Sequence, residues 1–226
     1  EIFEASRDPE RFSSSYMSAE RMQAMMAMMP KGMPRTPQAT PITMDPPEHT
    51  KFRAPLQKTF SPRAAINQIE EIRALTDRLI DQVIDRGHCD FIAAIAEPLP
   101  VTVFLTLMGL PVSRLAEFRE LVHEFLANTT GDPIKGAALS RKVADAMLDE
   151  IMARKDDPRD DIIRLLWAAE IDGAPMTVEL MEDYCVLLFI AGLDTVINGM
   201  GFGIRHLAAN PDLQDQLRAN PELIVE

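Results

Sequence analysis

Apolar residues recur along almost the whole chain at the spacing of one face of an α-helix. In residues 62–84 they return every three or four positions, at Ile66, Ile69, Ile72, Leu75, Leu79, Ile80 and Val83. Residues that start helices and residues that stop them bound the successive segments. The pattern therefore predicts a mostly α protein, with helices at about 2–6, 18–29, 46–60, 62–84, 95–108, 113–128, 134–154, 160–169 and 177–209.

The first fifty residues combine a short helix with a proline-rich loop. The short helix has a methionine face, formed by Met22, Met25, Met26 and Met29. Residues 30–47 contain six prolines, which predicts a loop because proline cannot continue a helix. Asp45 is predicted to cap the helix that follows, with Glu48 at its third position.

The longest predicted helix covers residues 177–209. Thr177 is predicted to cap its start, and Asn210 followed by proline ends it. At 1.5 Å per residue it would be about 48 Å long and would cross a whole domain. Because no linker or repeat divides the chain, we expect one domain over residues 1–226.

The middle of this helix contains a polar pair in an apolar stretch. Asp194 and Thr195 follow Ala191 and Gly192, in a segment otherwise apolar on every side. Gly192 could let a flat group approach the backbone, and Thr195 could compete for the carbonyl of Ala191. The alternative is a helix in which Thr195 only bonds back to the backbone and Asp194 points to solvent.

His49 and Arg53 form a second candidate site. A spacing of four places both on one face of a helix, where two donors could bind a carboxylate or a phosphate. The alternative is that both are ordinary surface residues.

Composition excludes several function classes. The 226 residues carry a formal charge of −12, which disfavours nucleic acid as a partner. No run of eighteen apolar residues predicts a membrane helix, and no nucleophile or phosphate-loop motif is present. Cys89 and Cys185 lie far apart, which fits a reducing cytoplasm and gives no zinc signature. The chain opens on Glu1 without a methionine, so we expect a fragment.

Three segments together resemble the cytochrome P450 family of haem-thiolate monooxygenases. They are DPERFSS from Asp8, MDPPEHTKFR from Met44 and AGLDT from Ala191. They are most similar to soluble bacterial members of the camphor-hydroxylase branch. The resemblance implies the helical part of the cytochrome P450 fold, over residues 1–226 as one partial domain truncated at both ends. It also implies that the iron-ligating cysteine loop is absent, so the chain alone is expected to be inactive.

The resemblance assigns roles to specific residues and a haem cofactor (iron protoporphyrin IX). The expected haem contacts are His49 and Arg53 at the propionates, and Ala191 and Gly192 against the ring. Thr195 is expected to hydrogen-bond bound dioxygen, and Asp194 to help pass protons. No residue of the chain is expected to ligate the iron.

The resemblance also implies a substrate and a redox partner. The methionine-faced helix and the loop take the position of a substrate lid, and the expected pocket residues are Met29, Ile42, Leu187 and Ile190. The complete protein is expected to be cytoplasmic and to hydroxylate a small apolar, terpenoid-like substrate. It would use O₂ and electrons from an acidic ferredoxin docked near Lys51, Lys58, Arg63 and Arg73. The alternative is an all-helical protein that binds an apolar ligand without catalysis.

Overall fold

The computed structural model describes most of the chain. Residues 1, 16–19, 21–23, 25–26, 28–31, 33, 58, 129–131, 158 and 225–226 are outside the described part. The predicted methionine-faced helix falls largely on these residues, so it and Met29 lie outside the described residues.

The described residues are mostly helical, which confirms the predicted fold class. The α-helices are α1 (Ile2–Ala5), α2 (Glu48–Gln57), α3 (Pro62–Ile66), α4 (Ile69–Asp81), α5 (Pro98–Met108), α6 (Leu115–Asn128), α7 (Pro133–Ala153), α8 (Ile162–Trp167), α9 (Val178–Ala209) and α10 (Pro211–Ala219). A π-helical turn (Ile92–Ala96) precedes α5, and 3₁₀ turns occupy Ile84–Arg86, Val112–Arg114 and Pro221–Ile224. Two short antiparallel strands, β1 (Glu170–Ile171) and β2 (Ala174–Pro175), form a hairpin.

The predicted continuous helix over residues 62–84 is wrong. The chain ends α3 at Asn67, whose amide bonds back to Ala65 and Arg63, and starts α4 two residues later. The apolar residues of this segment therefore do not share one buried face. Leu79 is buried, whereas four isoleucines of this segment are exposed: Ile66, Ile69, Ile80 and Ile84.

The core is built around the N-terminal half of α9. Thr177 accepts a hydrogen bond from the amide of Leu180, so the predicted cap is confirmed. The helix packs against α5, α6, α7, α8 and the π-helical turn. Phe189 meets the ring of Phe118 edge-on, with 5.1 Å between ring centroids. The N-terminal half of α9 thus contributes a large share of the buried residues of the core.

A buried arginine joins three elements at one end of this core. Arg154 is 1% exposed, and its Nε lies 2.6 Å from Asp161 Oδ2. Its Nη2 donates to the carbonyl of Gly109, in the turn after α5. Asp161 also accepts from the amide of Arg164 at the start of α8. Gly109 has φ +68°, and a Cβ there would collide with the Asp161 carboxylate.

One described helix, α9, has the length and composition of a membrane-spanning segment. An 18-residue window within it reaches a mean hydropathy of 1.8. Its N-terminal half is nevertheless packed inside the helical core. The absence of a membrane segment stays a prediction.

Replacing Arg154 tests the buried junction. We expect Arg154→Met to lower the free energy of unfolding by about 3–5 kcal/mol, because Asp161 would remain buried without its counter-charge. Urea unfolding followed by circular dichroism measures the change. Arg159→Met is the matched control, since Arg159 pairs with Asp157 at an exposed position and should matter little. Equal effects of the two substitutions would contradict the proposed importance of the junction.

Candidate functional site

The start of α2 is tied to the N-terminal segment through Asp45. Its carboxylate accepts hydrogen bonds from Ser13 Oγ at 2.5 Å and from the amide of Ser14 at 2.8 Å. The hydrogen bond from Ser13 is the main reason why the pKa of Asp45 is lowered. The backbone carbonyl of Asp45 accepts a hydrogen bond from the amide of His49 in α2. The predicted side-chain cap is therefore wrong, because the carboxylate binds Ser13 and Ser14 instead of an amide of α2.

The middle of α2 is fixed to α9 by a buried tyrosine. Tyr184 is fully buried, and its hydroxyl donates to the carbonyl of Phe52 at 2.5 Å. Burial raises the pKa of Tyr184 to about 12. Leu56, one turn further along α2, is also buried in the core. The position of α2 is thus set by α9 on one side and by the N-terminal segment on the other.

On α2, His49 precedes and Arg53 follows Phe52, whose backbone carbonyl accepts the hydrogen bond from Tyr184. His49 is half-buried and Arg53 is exposed. Neither side chain has a hydrogen bond or an ion pair with the part of the chain that the structure describes. Their donors are therefore compatible with the expected binding of carboxylates, and that binding stays a prediction.

Lys51 faces another side of α2 and is engaged within the protein. Its Nζ lies 2.8 Å from Asp172 Oδ2 in the hairpin turn and 3.8 Å from Glu48. The hydrogen bond to Asp172 raises the pKa of Lys51. Asp172 and Gly173 both have positive φ, at 52° and 77°, which confirms the predicted turn.

The C-terminal half of α9 presents an open face. Ala191 and Thr195 are exposed, and Thr195 Oγ1 donates to the carbonyl of Ala191 at 2.8 Å. The predicted back-bond is confirmed. The side chain of Asp194 lies outside the described residues. Further along, Val196 and Phe202 are 50% and 70% exposed, so this face combines a hydroxyl with apolar surface.

Gly192 lies directly against a side chain of the neighbouring helix α5. A Cβ at Gly192 would lie 2.4–2.6 Å from three ring atoms of Phe104 on α5. The missing side chain is therefore accounted for by close packing between α5 and α9. Contact between Gly192 and a cofactor stays a prediction.

The expected pocket residues are not enclosed together in the described part of the chain. Leu187 and Ile190 are partly buried on α9, whereas Ile42 is 61% exposed on the loop. Their role in substrate binding stays a prediction. A groove of about 510 Å³ lies elsewhere, between the end of α9 and α10, and is lined by residues such as Ile204, Leu207 and Leu217.

Sequence reasoning missed three consecutive polar residues in the buried half of α9. Glu182, Asp183 and Tyr184 are all buried, and their hydrogen bonds go to three different segments. Glu182 receives two hydrogen bonds from Arg141 of α7, at 2.5 and 2.8 Å. Asp183 faces the proline-rich loop, and Tyr184 reaches α2. We call residues 182–184 the polar junction; its only sequence signal is three polar side chains inside an apolar stretch.

The two cysteines lie in different environments. Cys185 is fully buried in α9, and burial raises the pKa of its thiol. Cys89 is exposed in the connector before the π-helical turn. Among the described residues, no group of three or more His, Cys, Asp or Glu side chains could hold a metal ion.

Comparison with known proteins gives consistent results. The sequence model of the Cytochrome P450 family matches residues 105–225. Cytochrome P450 109 of Bacillus spizizenii is 29% identical over 190 residues, which cover 80% of this chain and 47% of that protein. The steroid C26-monooxygenase of Mycobacterium tuberculosis is 28% identical over 99% of this chain and 58% of its own length.

A solved structure supports the same relationship. A mutant of P450 EryK in complex with erythromycin B superposes with a TM-score of 0.71 at 29% identity. The match covers 85% of this chain and 50% of that one. The chain thus spans about half the length of the curated relatives it matches.

Replacing Tyr184 tests how α2 is held. We expect Tyr184→Phe to lower the free energy of unfolding by about 1 kcal/mol at pH 8, because one buried hydrogen bond is lost. The folded pKa of about 12 lies above the unfolded value of 10, so this tyrosine's contribution is complete below pH 10 and is lost as the pH rises towards 12. The difference between the two proteins should therefore shrink over that range. Chemical denaturation at several pH values measures it, and a difference that does not change with pH would contradict the assignment.

Proposed function

The chain belongs to the cytochrome P450 family, and on this premise we propose that the complete protein is a haem-dependent monooxygenase acting on a small apolar substrate. Bound haem supplies the activation of O₂ and the oxygen-transfer chemistry. The contribution of this chain is to bind the cofactor, to shape an apolar site and to manage protons. The name of the steroid C26-monooxygenase supports oxygen insertion as the reaction class.

His49 and Arg53 are the residues proposed to hold the haem propionates. Support comes from their spacing on α2 and from N–H donors that have no partner among the described residues. Because Tyr184 and Asp45 fix α2 by other atoms, these two side chains need not reorganise the helix to bind an anion. The exposed face at Ala191, together with the backbone of Gly192, is proposed to lie against the flat ring.

The observation that carries the proposal for catalysis is the Thr195 hydroxyl. It lies on the exposed face of α9, where its single hydrogen is donated to Ala191. A hydroxyl can turn and donate elsewhere, and its oxygen can accept at the same time. Thr195 can therefore hold a proton towards the reacting oxygen while Asp194 exchanges protons with water.

Substrate and partners follow from the same premise. Met29, Ile42, Leu187 and Ile190 are proposed to line a pocket for a small apolar, terpenoid-like molecule. A ferredoxin-type protein is proposed to supply electrons, and the protein is proposed to be soluble and cytoplasmic. Because Lys51 is bound to Asp172 and Arg73 is bound to Glu70, the exposed Arg63 is the better contact for an acidic partner.

The carbon-monoxide difference spectrum of the ferrous protein tests the class of the enzyme. The protein is expressed from its complete reading frame and reconstituted with haem. A strongly red-shifted Soret band is expected, because a thiolate donates electron density to the iron. A folded helical protein without this band would contradict the proposal and favour a binding protein for an apolar ligand.

Thr195→Ala tests the proton-handling role in the complete enzyme. We expect haem and substrate binding to be kept, and a several-fold larger share of the electrons to form hydrogen peroxide, because the hydroxyl that holds the proton is gone. Peroxide and product are measured per electron consumed. Thr195→Ser should keep the coupling. Thr106→Ala removes an equivalent exposed back-bond, from Thr106 to Thr102 on α5, and should change nothing. Unchanged coupling in Thr195→Ala would refute the role.

A further inference from the structure

The proline-rich loop is attached to α9 at one point of the polar junction. Arg35 Nη2 lies 2.5 Å from Asp183 Oδ2, and the amide of Gln38 donates to Asp183 Oδ1 at 2.7 Å. Arg35 Nη1 lies 3.6 Å from Glu182. Both carboxylate oxygens of Asp183 are therefore bound by the loop, one by a side chain and one by the backbone.

The Asp183 end of this attachment is buried. Asp183 is 3% exposed, and desolvation raises its pKa, whereas the contacts with Arg35 and Gln38 act in the opposite direction. A buried carboxylate without such partners would be costly, so α9 favours conformations of the loop that supply them. Glu182 is held in turn by Arg141 of α7, which fixes the junction from a second element.

The attachment lies next to the face of α9 expected to line the pocket. Asp183, Leu187 and Ile190 are spaced at i, i+4 and i+7, so they share one face of the helix. Leu187 is about 6 Å along the helix from Asp183. On the loop, Ile42 lies four residues after Gln38, and the buried Thr40 lies between them.

We propose that Asp183 and Arg35 are positioning residues that hold residues 34–44 of the loop beside Leu187 and Ile190. Through this placement they set how well the site discriminates between apolar ligands of different size. Residues 34–44 form no helix or strand, and their own backbone hydrogen bonds join residues only two or three positions apart, so contacts with α9 are needed to place the loop against it. The part of the proposal that concerns ligands rests on the proposed function.

Amide hydrogen exchange tests the attachment directly. Asp183→Asn removes the charge but keeps an oxygen for the Gln38 amide, and Arg35→Gln removes the charge from the partly exposed partner. In both variants we expect exchange in residues 36–44 to become about tenfold faster or more, while α7 is unchanged. If Asp183→Asn does not fold because the substituted residue is buried, Arg35→Gln still tests the attachment. Asp172→Asn breaks an exposed ion pair in which no residue of the loop takes part, and it should leave exchange in the loop unaffected.

Ligand discrimination separates a positioning role from a purely structural one. In the haem-loaded protein, dissociation constants are measured for imidazole and for 4-phenylimidazole, which adds one apolar ring. The ratio of the imidazole dissociation constant to the 4-phenylimidazole dissociation constant should fall roughly tenfold in Asp183→Asn and Arg35→Gln, because the phenyl ring loses apolar contacts on one side of its site. Binding of imidazole itself should stay the same.

Two outcomes would overturn the proposal. They are unchanged exchange in the loop and an unchanged ratio of the two dissociation constants, whether both ligands keep their affinity or both weaken equally. The exchange measurement needs no haem. A protein that takes up no haem would therefore contradict the proposed function, while exchange would still decide whether the ion pair positions the loop.

Discussion

The burial of three consecutive polar side chains in α9 is the constraint on which the arrangement of the site depends. Glu182, Asp183 and Tyr184 cannot stay inside the core unless other groups satisfy them. Successive residues of a helix point about 100° apart, so their partners have to approach from three directions. These partners are α7, the proline-rich loop and α2. One short stretch of α9 thus places α2 and the loop relative to the same axis.

Features that depend on contacts within one or two helical turns could be predicted from the sequence. The cap at Thr177, the back-bond from Thr195 and the turn at Asp172 are all set by near neighbours, and all are confirmed. The mostly α fold and the family also followed, because helical periodicity and linked motifs persist over a long chain. The single partial domain and the roles of the haem and pocket residues stay predictions.

Features that depend on distant partners could not be read from the sequence. Asp45 has the spacing of a helix cap, but Ser13 and Ser14 reach its carboxylate in the folded chain. The polar junction was missed for the same reason, since the partner of Asp183 lies 148 positions away in sequence. Periodicity also failed at the break before α4, where apolar spacing continues although the backbone does not. Local patterns do not show which groups tertiary structure brings together.

The contact between Gly192 and Phe104 has a consequence for how sequences of this fold can diverge. The ring occupies the volume that any side chain at position 192 would need, so the two positions compete for one space. An alanine at 192 is compatible with this packing only if position 104 becomes smaller or α5 moves outward. The two sites should therefore covary among relatives, and a chimera that takes α5 and α9 from different parents would combine side chains that do not fit.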